Sequence, residues 1–90
     1  MMDWVRGRCF WIRCGREDQG QIFVVRRKLG NAVKRNRIKR RLRSICRSRP
    51  YFPCDLVVFC QPSAIEAPFA DLERELDSLV AKLPIFLAPQ

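Results

Sequence analysis

Apolar and polar positions recur along this chain with two different periods, and each change of period marks an element. Over residues 8–13 the period is two: Phe10 and Ile12 fall on one face, Cys9, Trp11 and Arg13 on the other, as in a half-buried strand. A glycine-bounded polar turn at 15–20 leads to a second strand at 21–26, where Ile22, Phe23, Val24 and Val25 form a β-prone run. So short a connection predicts an antiparallel hairpin. The period then lengthens, and Ile38, Leu42 and Ile45 recur at i, i+4 and i+7, which predicts a helix from near Asn31 to about Ser48. Gly30 and Asn31 supply the turn and N-cap, and Pro50 and Pro53 end the helix in a loop at 48–54. Leu56 to Cys60 is apolar throughout and bounded by Pro62, the pattern of a strand buried on both faces. A strand, a helix and a strand in that order make a βαβ unit. After Pro68, Phe69, Leu72, Leu76, Leu79, Val80 and Leu83 share one face of a last helix that Pro84 closes. Residues 1–7 are too short for a helix, although Trp4 and Val5 can cover a core edge. The expectation is one α+β domain spanning residues 1–90, a small mixed sheet of about three strands with two helices in the order β-β-α-β-α.

Charge changes this picture most in the first long helix. Residues 28–43 hold eight Lys or Arg and no acid, and Asn36, Arg40, Arg43 and Arg47 lie opposite the apolar stripe. Like charges four residues apart destabilise a helix by a few tenths of a kcal/mol per pair. Arg35 with Lys39, Arg37 with Arg41, Lys39 with Arg43 and Arg43 with Arg47 all repel, with no acid between them. A solvated charged face is the commoner meaning of such a run, but here an anionic partner is needed to offset the repulsion. The asymmetry extends to the whole chain: residues 1–54 carry 16 basic and 3 acidic side chains, residues 55–90 carry 2 and 6. A hydrophobic content of 48% argues against a disordered basic tail, so a folded nucleic-acid-binding domain is expected. If six to ten of these cations meet phosphates, affinity falls about 10³- to 10⁵-fold between 50 and 200 mM salt. Trp11 and Arg13 share a strand face without aliphatic residues, where a base can stack on the indole and a phosphate meet the guanidinium; ordinary half-buried packing is the alternative for Trp11. Lys28 stands at the mouth of the same groove.

Several function classes drop out. With no histidine, no carboxylates at metal-ligand spacing and no cysteine beside a base, a catalytic site within the polypeptide is not expected, nor is a bound metal. Five irregularly spaced cysteines without a signal peptide read as reduced thiols and a cytoplasmic protein. No apolar run reaches the roughly 18 to 20 residues that span a bilayer, so no membrane association is expected. A basic helix in a DNA major groove lacks the zipper or second recognition helix that sets half-site spacing.

The run from Lys28 to Arg43, with Arg35, Asn36, Arg37, Ile38, Lys39 and Arg40 at its centre, closely resembles the signature of the bacterial ribonuclease P protein component. Weaker likeness continues over residues 8–83. The resemblance implies an α-β-β-β-α-β-α sandwich whose signature helix sits in a left-handed βαβ crossover, against the usual right-handed preference. It also implies a subunit that assists a catalytic RNA in removing the 5′ leader of precursor tRNA, with Mg²⁺ bound mainly by the RNA subunit and substrate. By position, Asn36, Arg37, Arg40 and Arg43 would face the RNA subunit with Arg35 beside them, and Lys34, Lys39 and Arg47 extend that surface; Trp11, Arg13 and Lys28 would edge or line the leader cleft. The partners expected are the catalytic RNA and precursor tRNA, with no obligate protein partner. Some positions depart from the family pattern. The family's first helix and first strand have almost no counterpart before Arg8, Arg13 stands where a cleft tyrosine is usual, Ile22 and Val24 replace small residues, and Gln61 replaces an arginine before Pro62. The rival reading is a non-enzymatic basic RNA-binding protein, such as a ribosomal or assembly factor.

Overall fold

The structure is a computed structural model and describes residues 4–15 and 20–83. In chain order it contains β1 (Val5–Arg6), β2 (Phe10–Cys14), β3 (Ile22–Val24), a 3₁₀ turn (Arg27–Leu29), α1 (Ala32–Arg47), β4 (Leu56–Cys60), α2 (Ser63–Glu66) and α3 (Phe69–Ala81). The four strands form one mixed sheet in the order β1-β2-β4-β3.

That order corrects the expected hairpin. β2 and β3 are not neighbours: β4 lies between them, antiparallel to β2 through Phe10↔Cys60 and Cys14↔Leu56 and parallel to β3 through Ile22↔Val57 and Val24↔Phe59. Hydrophobicity explains the placement. β4 is a run of five residues without a polar side chain, against three such residues in β3, and four of the five are buried, so the centre of the sheet is where most apolar surface is covered. The parallel β3–β4 pair needs a long crossover, which α1 provides. The turn residues 16–19 that the hairpin would have used lie outside the described residues, as does Pro84. A second correction concerns the number of strands: a short strand not expected from the pattern, β1, pairs Val5↔Ile12 and Arg6↔Trp11. Two residues are too few to show a period, which is why it was not expected. There are thus four strands and three α-helices among the described residues, α2 being a single turn after Pro62.

One face of the sheet holds the core. Phe10, Ile12, Leu56, Val58 and Cys60 pack against Ile38, Leu42 and Ile45 of α1 and Leu72, Leu76, Leu79 and Val80 of α3. The i, i+4, i+7 stripe of α1 is therefore the buried one. Asn31 caps α1 as its sequence position predicts, its Oδ1 accepting from Lys34 N at 2.9 Å. Cys9 does not share the Trp11 face: it precedes β2 and is buried, and its backbone N–H donates to Glu75 Oε2 at 2.6 Å. Phe10 N donates to the same oxygen at 2.9 Å, so one α3 carboxylate fastens the turn between β1 and β2. Gly7 makes room for it, since a Cβ there would stand 2.6 Å from Glu75 Oε2.

Candidate nucleic-acid interface

On α1, Lys34, Asn36, Arg37, Arg40, Arg43 and Arg47 are exposed, while Arg35, Lys39 and Arg41 are half-buried along the flanks. At 100° per residue, Asn36, Arg40, Arg43 and Arg47 fall within about 60° of arc, and they span about 16 Å along the axis. Two flanking guanidiniums are turned to the protein itself: Arg35 Nε donates to Gly30 O at 3.2 Å, and Arg41 NH1 to Ala67 O at 3.3 Å. Arg49, in the loop after the helix, leaves the cationic set altogether, pairing with Asp77 at 2.6 Å and Glu73 at 3.3 Å on α3. What α1 offers to solvent is a row of cations around one amide, with no carboxylate in its own sequence.

The face of the sheet away from the core forms a second basic surface. Register places Arg6, Trp11, Phe59 and Val24 in one row across it, and Arg13, Val57 and Ile22 in the next. Val57 is buried yet stands outside the core cluster, as expected for the opposite face. Three guanidiniums lie over aromatic rings here: Arg6 over Trp11 at 4.8 Å, Arg13 over Trp4 at 5.1 Å and Arg26 over Phe59 at 5.0 Å. Trp4 meets Phe59 edge to face at 5.8 Å. Such stacking desolvates a guanidinium partly, and Arg13 Nη1 also donates to Cys14 O at 3.3 Å. Arg26 Nε is buried without a hydrogen-bond partner.

The structure thus brings Trp11 and Arg13 together, as their alternation predicts. It does not bring Lys28 to them: Lys28 is exposed in the 3₁₀ turn after β3, with β4 and β3 between it and β2. Trp4, Arg6, Arg26 and Phe59 were missed in the sequence. The signal for Trp4 and Arg6 was their two-residue spacing; Phe59 alternates with Val57 in β4, but in an all-apolar strand alternation carries no contrast.

Elsewhere the surface is less suited to a polyanion. A groove of about 990 Å³ between the β1–β2 turn, α2 and α3 mixes Arg8, Lys34 and Arg74 with Glu66, Asp71 and Glu75. Among the described residues no group of three or more His, Cys, Asp or Glu is placed to hold a metal ion. On α3, Glu73 and Asp77 are engaged by Arg49, Glu75 by backbone N–H groups and Asp71 by Arg74. No helix among the described residues is long and apolar enough to cross a membrane.

Fold and surface together define a small α+β domain with its exposed cations mounted on the crossover helix. Residues 4–84 match the sequence model of the family described as Ribonuclease P. The chain belongs to that family. It is 48% identical over 63 residues to the ribonuclease P protein component of Kocuria rhizophila, covering 66% of this chain and 55% of that protein, and so spans about half the length of this relative. With the component from Mesoplasma florum it shares 32% identity over 84 residues, covering 86% of this chain and 76% of the other. The solved RNase P protein of Staphylococcus aureus superposes with a TM-score of 0.74 at 26% identity, over 90% of this chain and 82% of that one.

Proposed function

We propose that this chain is the protein subunit of a cytoplasmic ribonuclease P, binding the catalytic RNA through the exposed face of α1 and the 5′ leader of precursor tRNA across the open face of the sheet. The observation that carries the reading is the row Asn36, Arg40, Arg43 and Arg47, exposed on a helix that has no acid to relieve it. Lys34 and Arg37 extend the row, and the flanking Arg35 and Lys39 add to its potential. Asn36 brings a directional donor and acceptor among charges, which suits docking to a folded RNA rather than general phosphate attraction.

For the leader, the rings of Trp4, Trp11 and Phe59 with Arg6, Arg13 and Arg26 provide stacking and phosphate contacts that depend little on base sequence. The unpartnered Arg26 Nε supports a ligand at this face, because a buried donor left unmade costs about 1 to 3 kcal/mol and a phosphate oxygen would satisfy it. Lys28, lying apart, would meet the strand beyond the sheet edge.

The RNA subunit is the catalyst in this reading, with Mg²⁺ held mainly by RNA and substrate phosphates supplying the hydrolytic chemistry. The chain contributes no catalytic side chain; by gathering phosphates it lowers the Mg²⁺ needed for cleavage. Adding it to the RNA subunit at low Mg²⁺ should increase the rate at which a leader-bearing precursor tRNA is cut to its mature 5′ end. No increase with the intact chain would sink the proposal.

A further inference from the structure

Beyond the end of α1, the loop that follows the cationic row is fixed in place around one exposed ring. Tyr51 is 62% exposed, and Val33 is the other large hydrophobic residue that is openly exposed among the described residues. A lone exposed tyrosine is ordinary. This one rests on a buried ring, and the residues on either side of it are anchored. Its ring stands edge to face against Phe52, centroids 5.4 Å apart at 87°, and Phe52 is buried in the core. Arg49, two residues earlier, is clamped to Asp77 by two hydrogen bonds of 2.6 and 2.9 Å, and its Nη1 donates to Ser48 Oγ at 2.7 Å. Phe52 N returns to Arg49 O at 3.0 Å, and Pro53 O accepts from Gln21 Nε2 at 3.2 Å.

An edge-to-face contact uses one edge of the pair and leaves ring surface of Tyr51 to solvent. It lies four positions after Arg47, so its Cα stands at most about 14 Å from that of the last cation of the row. A rigid aromatic plane beside phosphate-binding cations is a stacking site for an unpaired base, and tyrosine has little conformational freedom left to lose on binding.

We propose that Tyr51 is a base-stacking residue: an unpaired nucleotide of the folded RNA bound along α1 stacks on its ring, adding a non-ionic contact at the end of the cationic row. This rests on the RNA-binding role proposed above for α1. Arg49, Asp77 and Phe52 act as positioning residues.

The test is filter binding of the full-length chain to the in vitro transcribed ribonuclease P RNA at several salt concentrations, comparing wild type, Tyr51→Phe, Tyr51→Ala and Arg40→Ala/Arg43→Ala. Thermal unfolding checks that each variant folds. Losing a stacked base weakens binding about 5- to 150-fold. Tyr51→Ala should therefore bind at least about fivefold more weakly with an unchanged slope of log K against log salt, and Tyr51→Phe should stay within about twofold of wild type. Arg40→Ala/Arg43→Ala should instead flatten the slope by roughly 1.5 to 2 units. If Tyr51→Ala binds as wild type does, or if Tyr51→Phe loses as much as Tyr51→Ala, stacking is overturned and the role of α1 stands. If wild type does not bind this RNA, or does so with no salt dependence, the role of α1 falls and the inference with it.

Discussion

By sequence, Arg49 belongs to the basic half and counts as one more phosphate contact; by structure it is a fastening between that half and the acidic helix. Replacing it with Met separates the two possibilities. Its side chain is 17% exposed, and its partners Asp77 and Glu73 are 40% and 34% exposed. Severing a fully buried charge pair costs about 3 to 5 kcal/mol, whereas an exposed pair is worth about 0 to 1. With two short charge-assisted bonds to Asp77 but half-exposed acids, an intermediate loss of about 1.5 to 3 kcal/mol is expected. For a domain of this size that corresponds to a fall in Tm of roughly 6 to 24 °C. Urea unfolding of wild type, Arg49→Met, Asp77→Ala and the double variant measures the coupling between the two. The salt dependence of RNA binding gives the independent reading, since a cation spent on Asp77 releases no counterion: the slope for Arg49→Met should match wild type even where affinity falls through the Tyr51 loop. A stability loss below about 0.5 kcal/mol, or a slope reduced by close to one unit, would refute this account of Arg49.

Removing the α1 cap with Asn31→Ala should cost about 1 kcal/mol while Asn31→Asp keeps the bond to Lys34 N, as thermal circular dichroism would register. Gly7→Ala should destabilise by about 1 to 3 kcal/mol, because its Cβ meets a carboxylate pinned by two backbone N–H groups and Leu79 Cδ1 at 2.8 Å; equal urea midpoints would contradict the crowding. Burial pushes the Cys46 thiol up to about 11 and the Cys60 thiol up to about 12, from 9.0. Above pH 9 the unfolded chain therefore loses these protons first, so the stability present below pH 9 is lost as pH rises toward 11 or 12, at about 1.4 kcal/mol per thiol per pH unit. Urea unfolding at pH 8 and pH 10 should show this loss, and Cys60→Ala should reduce the difference. A thiol reagent at pH 8 should modify exposed Cys54 in the folded chain, and Cys46 and Cys60 only after unfolding.

Much of this molecule could be read before its structure. The α1 stripe and its cap, the all-apolar β4 and the α3 stripe each carry a local signal strong enough to survive tertiary packing. Strand order is not a local property. The nearest partner in sequence for β2 is β3, and only the competition of both for the longer and more deeply buried β4 separates them. The site divides in the same way. Periodicity alone placed Asn36, Arg40, Arg43 and Arg47 on an exposed face, and alternation put Trp11 beside Arg13. Lys28 looked close to them because the chain is short between β2 and α1, whereas the insertion of β4 sets them two strands apart. No pattern could say that Arg49 faces Asp77, 28 residues on, rather than solvent.

The central position of β4 also has a consequence for the order of events during synthesis. β2 and β3 share no edge with each other, and both wait for a strand that begins at Leu56. By then 16 of the 18 basic residues have been synthesised, and among the sheet's strand pairings β1–β2 is the one that needs no residue of β4. The helix that carries the cationic row acquires the sheet that buries its apolar stripe only when this last strand arrives. A chain stopped at Cys54 would be a free polycation, and the same chain extended through α3 is a mounted one.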